Sequence, residues 1–481
     1  MDTSNKVREY TKKLSEIGQE HIFDFYSELS EADQEAFLRQ IETIDFSEVK
    51  SQIDRLVLAN EKDADFHWDA LKPADYIPLP ENGGDFALWE QAKATGEKAI
   101  KEGRVAAFTV AGGQGTRLGY DGPKGTFPVT PLSGKSLFEV FADKITRASE
   151  RYGVVIPWFI MTSEINHQAT IDAFEANQYF GMPKESLFFF SQALFPAVDI
   201  NGKMLLQEKG QLVMTPNGHG GSLRALVDSG ASEKMRSKGI DILSYFQVDN
   251  PLVPCIDPAF IGFHVLNQSE LSSKMIPKAY PLEKVGMFCQ YEGRNLVVEY
   301  SDMPKAMQEL LDEEGGILFR SGSVAIHLFD RDFIERVGSP SSSEKLPYHK
   351  ALKKIPFIDA SGLQQVPENS NGVKFEMFVF DAISKAKNPV IIEGLRNDNF
   401  SPVKNAEGID SPESCRNDLQ KQAIRWLSAT NEQLVLNNEG NGAKDFTFEI
   451  NYRFAMDKDD FINQWVSFDN KPIIESGTII E

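Results

Sequence analysis

The chain reads as an α/β protein built on a mainly parallel, mixed sheet, with a helical N-terminal region before it and a small C-terminal domain after it. Three observations predict this. Short, solidly apolar runs recur from Arg104 onward, amphipathic stretches of helical length separate them, and the first run empties into a glycine-rich turn. Strands buried on both faces need near-continuous apolar runs, and parallel strands need a helical crossover between them.

The elements follow in order. Across residues 1–100, Leu14, Ile17, His21, Ile22 and Phe25 recur at helical spacing among charges. Ser30, with Asp33 and Gln34 behind it, reads as a helix start. Residues 72–84 are rich in turn formers and read as a connector, and a helix over 88–101 leads into the core. The core is expected over 101–400. Its strands fall at Val105–Val110, 154–162, 186–190 and 242–248, with helices over 137–148 and 165–174. Residues 339–343, serines around Pro340, read as a mobile surface loop. Residues 401–481 form the C-terminal α+β domain: a loop near 407–412, a helix over 412–430 and a half-exposed strand over 446–450.

Composition narrows the function. The chain has 481 residues, 41% apolar and 25% charged, an ordinary globular balance with room for several domains. A net charge of -21 repels nucleic-acid backbones and anionic membranes, which argues against a general polynucleotide binder. It leaves room for a local basic pocket that takes a small phosphorylated ligand. Cys255, Cys289 and Cys415 are far apart and odd in number, which suggests reduced thiols and neither a zinc ribbon nor a disulfide framework. The first residues lack the apolar run of a signal peptide, and no apolar stretch reaches bilayer length, so a cytoplasmic protein with no membrane partner is expected.

The most informative segment is Val110-Ala111-Gly112-Gly113-Gln114-Gly115-Thr116-Arg117-Leu118-Gly119, followed by Pro123-Lys124. Glycines straight after a buried strand let backbone N–H groups approach phosphate oxygens. Arg117 adds a fork of donors and Lys124 a point charge. Counting excludes two better-known loops. A dinucleotide fingerprint would need glycine where Leu118 stands, and a Walker loop ending at Gly134-Lys135-Ser136 would need glycine where Val129 stands.

The run from Gly113 to Lys124 resembles the GxGTRLGxxxPK signature of the UDP-sugar pyrophosphorylases, in the branch of UDP-N-acetylglucosamine pyrophosphorylase. Further segments agree in order over roughly residues 100–410, among them Tyr179-Phe180-Gly181, Pro216-Asn217-Gly218-His219-Gly220-Gly221, Val248-Asp249-Asn250, Val298-Glu299-Tyr300-Ser301 and Phe400-Ser401-Pro402-Val403-Lys404-Asn405. The resemblance implies a Rossmann-like nucleotidyltransferase core. It also implies site roles: Gly112, Gly113, Gln192 and Gly218 on the uridine of UTP, and Arg117, Lys124 and Lys404 on phosphates. Asp249 would hold Mg²⁺, with Mn²⁺ as a substitute, and His219, Asn250, Glu299, Ser323 and Lys374 would face the sugar phosphate. Taken from the residues alone, other readings stay open. Gln192 could be a satisfied core amide, Glu299 half of a cross-strand ion pair, Asp249 a strand-end turn, Lys374 a solvated face residue and His219 a turn cap.

What the resemblance implies chemically is attack by a sugar 1-phosphate oxygen on the α-phosphorus of UTP, with pyrophosphate leaving. The expected acceptor is N-acetylglucosamine 1-phosphate. His219 and Ser323 stand where the eukaryotic enzymes of the branch carry asparagine, which points to a bacterial-type side branch and keeps glucose or galactose 1-phosphate as the alternative acceptor. The remote alternative is a silent UDP-sugar sensor, against which the pairing of Lys124 with Asp249 weighs. The scattered histidines, without metal-ligand spacing, are expected to be structural.

Overall fold

Val105–Val110 forms strand β1, and the apolar run predicted there is buried along its first five residues. The other core strands are β2 (Trp158–Thr162), β3 (Leu187–Ser191), β4 (Ile242–Gln247), β5 (Leu271–Pro277), β6 (Gly286–Tyr291), β7 (Arg294–Val298), β8 (Ser321–Asp330) and β9 (Val390–Glu393). In this computed structural model the residues described are 3–59, 66–430, 447–469, 471 and 473–481. By internal contacts the chain divides into two compact units. One gathers Met1–Trp68, Gln192–Ser222 and Leu346–Val379; the other gathers Asp69–Ser191, Leu223–Lys345 and Phe380–Glu481.

The larger unit carries the sheet. Its strands β4, β1, β2 and β3 run parallel in that spatial order, and β9 runs parallel to β5. The long β8 lies antiparallel to β4, β5 and β6, and β7 is antiparallel to β6. The fold is therefore α/β with a mainly parallel, mixed sheet, as the sequence predicts. Helices α1 (Phe86–Lys101), α2 (Leu137–Tyr152), α3 (His167–Ala176) and α4 (Pro258–Leu266) cover it. Asp85 caps α1 by accepting from the N–H groups of Ala87 and Leu88, and Ser136 caps α2 by accepting from Glu139. Helix α5 (Pro412–Ser428) starts with a capping box between Ser411 and Ser414 and a proline in its first turn. Its Trp426 and Leu427 join Phe448, Ile450 and Trp465 in the same core as Trp158 and Phe141.

The smaller unit opens with helices Thr3–Glu16, Glu31–Glu42 and Phe46–Gln52. Ser30 caps the second by accepting from the N–H of Asp33, which is the start predicted there. A three-stranded antiparallel sheet places Gly372–Met377 between Tyr348–Lys353 and Val198–Asp199. A short ladder pairs Leu194–Pro196 with Met214–Pro216.

Several expectations change in detail. The helical spacing that runs from Leu14 to Phe25 is broken at Gly18, whose φ of +68° ends the first helix, and tighter turns follow. The strand expected over 154–162 starts only at Trp158, after Pro157, which has no N–H for a ladder. The connector over 72–84 is tied to the sheet: Lys72–Pro73 pairs with β6, and Ile77 exchanges backbone bonds with Ile391 and Glu393. At the C-terminal strand, Phe446 lies outside the described residues, and the described strand is Glu449–Ile450. Glu449 is buried, not outward, because its carboxylate accepts from the N–H groups of Leu132 and Ser133 and from the Ser133 hydroxyl. Among the described residues no helix is long and apolar enough to cross a membrane.

Helices α1 and α4 cross at backbone contact. A Cβ on Gly262 would stand 1.6 Å from the carbonyl oxygen of Ala92, and one on Gly96 would stand 1.8 Å from that of Pro258. Two helix backbones that close leave no room for a methyl group, so the helices must part. Gly262→Ala is therefore expected to destabilise the protein by about 3 kcal/mol, at the upper end for overpacking. Chemical denaturation of both proteins measures it; an unchanged midpoint would refute the crossing.

Candidate active site

The glycine-rich loop leaves β1 and is tied down from behind. The Asn166 side-chain amide, fully buried, donates to the carbonyls of Ala111 at 2.9 Å and Gly113 at 3.2 Å. Its oxygen accepts from the Ser163 N–H, and the Ser163 hydroxyl donates its one proton to the Gly112 carbonyl at 2.9 Å. The Lys124 N–H donates to the Gly113 carbonyl at 3.0 Å. All three loop carbonyls are thus occupied. Among the described residues, the N–H groups of Gly112, Gly113 and Gln114 donate to no protein atom. A Cβ on Gly113 would meet nothing within 4 Å, so this side of the loop is open. Free N–H groups with their carbonyls turned away make an anion-binding concavity.

Asp249 arrives beside this loop because β4 lies parallel to β1 in register, with Gln247 opposite Val110, and the Val248 N–H continues the ladder to the Val110 carbonyl. Its carboxylate stands 3.4 Å from the Lys124 ammonium, and both side chains are less than one-fifth exposed. Asn250 is buried, with its amide donating to the Asn399 carbonyl at 2.7 Å and its oxygen accepting from the Ser401 N–H at 3.0 Å. That amide clamps the following chain, and the Val403 N–H reaches the Asp249 carbonyl at 2.8 Å. Lys404 is consequently held next to Asp249, its ammonium 5.3 Å from the Phe400 ring centre. Burial raises the carboxyl of Asp410 above the ordinary range; Lys404 pulls it down and the charge of Asp249 pushes it up. Arg117 is exposed on the turn Thr116–Leu118, with no ion-pair partner among the described residues.

The same edge of the sheet carries two of the residues expected at the sugar. Ser323 lies opposite Gly286 across β8 and β6, and Glu299 follows the end of β7. A Cβ on Gly286 would come within 3.2 Å of the Glu299 carboxylate. Directly opposed residues of an antiparallel pair share a face, so Glu299 and Ser323 flank the bare Gly286.

The remaining residues belong to the smaller unit. Gln192 is buried and donates to the Asn217 side-chain oxygen at 2.7 Å and to the Gly218 carbonyl. Gly218 has φ of +82°, and a Cβ there would stand 2.4 Å from the Met377 carbonyl, so the position is closed to side chains. The His219 Nδ1 accepts from the Val379 N–H at 3.2 Å, which leaves the proton on Nε2 as a donor. Lys374 lies on the strand Gly372–Met377 between buried Val373 and Phe375, and so is on that strand's other, half-exposed face.

The structure thus collects Gly112, Gly113, Arg117, Lys124, Asp249 and Lys404 at the carboxyl ends of adjacent parallel strands, with Glu299 and Ser323 along the same edge. Gln192, Gly218 and His219 gather around Asn217 in the smaller unit. Asn166, which holds the loop with Ser163, has no mark in the sequence beyond a Ser-x-x-Asn spacing directly after β2, and Ser163 closes the segment Ile160-Met161-Thr162-Ser163 that agrees with the family. His167 and His264 bond Thr162 and Ser272, so they serve the scaffold.

Burial lowers the His219 imidazole from 6.5 to about 4. Between these values the unfolded chain takes up a proton that the folded chain refuses, so stability falls as pH drops. Wild type should lose about 3 kcal/mol relative to His219→Asn between pH 7 and pH 4. Urea denaturation of the pair at several pH values measures this, and parallel profiles would contradict it.

Comparison with known proteins places this arrangement. A family model described as UTP–glucose-1-phosphate uridylyltransferase matches residues 46–441. The chain is 36% identical over 440 residues to a UDP-N-acetylhexosamine pyrophosphorylase-like protein 1 of Xenopus tropicalis, covering 88% of this chain and 85% of that protein. It is 34% identical over 450 residues to UDP-N-acetylglucosamine diphosphorylase 2 of Arabidopsis thaliana, covering 89% and 86%. The crystal structure of uridine diphosphate N-acetylglucosamine pyrophosphorylase from Trypanosoma brucei, in complex with an inhibitor, superposes with a TM-score of 0.81 at 26% identity over 98% of this chain and 97% of that one. A UDP-glucose phosphorylase structure from the same organism, at 16% identity and a TM-score of 0.57 over 78% of this chain and 77% of that one, shares the fold. The resemblance carried by Gly113 to Lys124 holds across the chain, which belongs to the UTP–glucose-1-phosphate uridylyltransferase family.

Proposed function

We propose that this protein transfers a uridylyl group from UTP to N-acetylglucosamine 1-phosphate, releasing pyrophosphate and making UDP-N-acetylglucosamine. One observation carries the reading: a loop with unoccupied N–H groups, a lysine and a carboxylate stand side by side at the ends of β1 and β4. The names of the relatives favour the amino sugar as acceptor. The description of the family model favours glucose 1-phosphate, which stands as the second reading.

The chemistry sets the requirements. The acceptor's phosphate oxygen is already an anion, so no protein nucleophile is needed. Two phosphorylated anions must instead be brought together and aligned, and in a chain of net charge -21 the positive charge has to be local. Gly112 and Gly113 offer backbone donors to UTP, and Lys124 and Arg117 screen its phosphates. Lys404, next in the chain to Val403, whose N–H reaches the Asp249 carbonyl, neutralises the incoming phosphate. Glu299 and Ser323 take the sugar. Asn250 acts by clamping residues 399–401, which fixes where Lys404 stands.

Asp249 fits Mg²⁺. Mg²⁺ in nucleotide sites is held by one or two carboxylates together with substrate phosphates. Asp249 is a single, largely buried carboxylate, and the Lys124 ammonium lies at the long distance of 3.4 Å. When bound, the metal would withdraw charge from the phosphates and hold the leaving group. Mn²⁺ would serve in its place. The three buried, unpaired cysteines support a reducing, cytoplasmic setting.

Arg117→Ala and Lys404→Ala are each expected to lower kcat by about 100-fold, the loss seen when one preorganised donor is removed, with a smaller change in KM for UTP. Wild-type kcat in both would end these assignments. Pyrophosphate release from UTP with N-acetylglucosamine, glucose and galactose 1-phosphates in parallel should be fastest with the amino sugar. Faster release with glucose 1-phosphate would establish the second reading, and no release with any acceptor would establish a silent sensor.

A further inference from the structure

The larger unit holds a second cavity, of about 400 Å³, which neither the glycine loop nor Lys124, Asp249 or Lys404 lines. Lys144 of α2 lies in its wall, 3% exposed. Its ammonium donates to the carbonyls of Pro251 at 2.5 Å and Val253 at 2.9 Å and lies 4.2 Å from the Tyr452 ring centre. An ammonium has three N–H groups, and among the described residues no carboxylate lies within ion-pair distance of this one. Burial lowers Lys144 to about 8, so it is still mainly charged at neutral pH. Trp426 borders the same cavity and is 4% exposed, and its indole N–H has no acceptor among the described residues.

Of the seven acids around the cavity, Glu81 and Glu90 are exposed, Glu393 reaches Arg320 at 3.6 Å, and the other four have close partners. Asp257 bonds Lys274, Asp457 bonds Arg151, Asp459 bonds Lys93 and Asp398 bonds Arg425. Within this wall Lys144 is a buried cation with no carboxylate at ion-pair distance and Trp426 a buried donor without an acceptor among the described residues, beside Trp89, Leu252 and Met456. A buried charge is costly unless it is paired, and a concave, mainly apolar cavity with a few convergent polar groups is the usual form of a small-molecule site.

We infer that this cavity is a second ligand site, for a small aromatic monoanion whose acid group pairs with Lys144 and whose ring packs among the Trp89, Leu252 and Met456 side chains. Carboxylates, sulfonates and phosphate monoanions of apolar compounds share that chemistry. The site is separate from the proposed nucleotide site, and its test reads binding and not turnover.

Fluorescence titration of the full chain with anilinonaphthalene sulfonate, an aromatic monoanion, tests this. We expect one saturable site that saturating UTP leaves in place. The neutral analogue phenylnaphthylamine should bind at least about tenfold more weakly, the loss that goes with one charge-assisted contact. Lys144→Met should weaken the anion by a similar factor. Ala259→Trp, which fills the cavity from the first turn of α4 and keeps Lys144, should abolish binding, and it decides the matter should Lys144→Met fail to fold. Unchanged anion affinity in Ala259→Trp, equal affinity for the neutral probe, or displacement by UTP would each overturn the assignment.

Discussion

The parallel pairing of β1 with β4 is the constraint on which the proposed site depends. Six residues of each strand are in register, so the chain leaves both strands at the same level of the sheet. One exit is the glycine loop and the other is Asp249. A slip of one residue would exchange the side chains that each strand packs into its two buried faces, so core packing holds the chemistry in place. The antiparallel strands β8, β6 and β7 then bring Ser323, Gly286 and Glu299 to that edge without a further crossover.

Buried amides do the remaining alignment. Asn166 takes the carbonyls of the loop, which leaves the N–H side open. Asn250 takes the backbone of Asn399 and Ser401 and thereby sets the approach of Lys404. Lys144 supports the same turn from behind, through Pro251 and Val253. A hydrogen-bonded polar network in a low-dielectric interior is stiff, and stiffness is what a site needs when its task is to hold two anions in line.

The sheet was legible in sequence because strands buried on both faces leave unbroken apolar runs, and Val105–Val110 and Ile242–Gln247 are such runs. The loop was legible because its glycines follow the first of them directly. The amide struts were not, since what marks Asn166 or Asn250 is a partner elsewhere in the chain. The burial of Glu449 is hidden for the same reason: the N–H groups that hold it belong to residues 132 and 133. Nor does periodicity show the smaller unit, which is gathered from three separated stretches. The left-handed turn at Gln178, Tyr179, Phe180 and Gly181 also escapes it, because three of these residues are types that seldom adopt positive φ.

The most direct test of the account is a crystal structure with UTP and Mg²⁺ bound. Phosphate oxygens should lie within hydrogen-bond reach of the N–H groups of Gly112, Gly113 and Gln114, with the metal on the Asp249 carboxylate. A triphosphate seated away from this loop, or a metal held without Asp249, would contradict it.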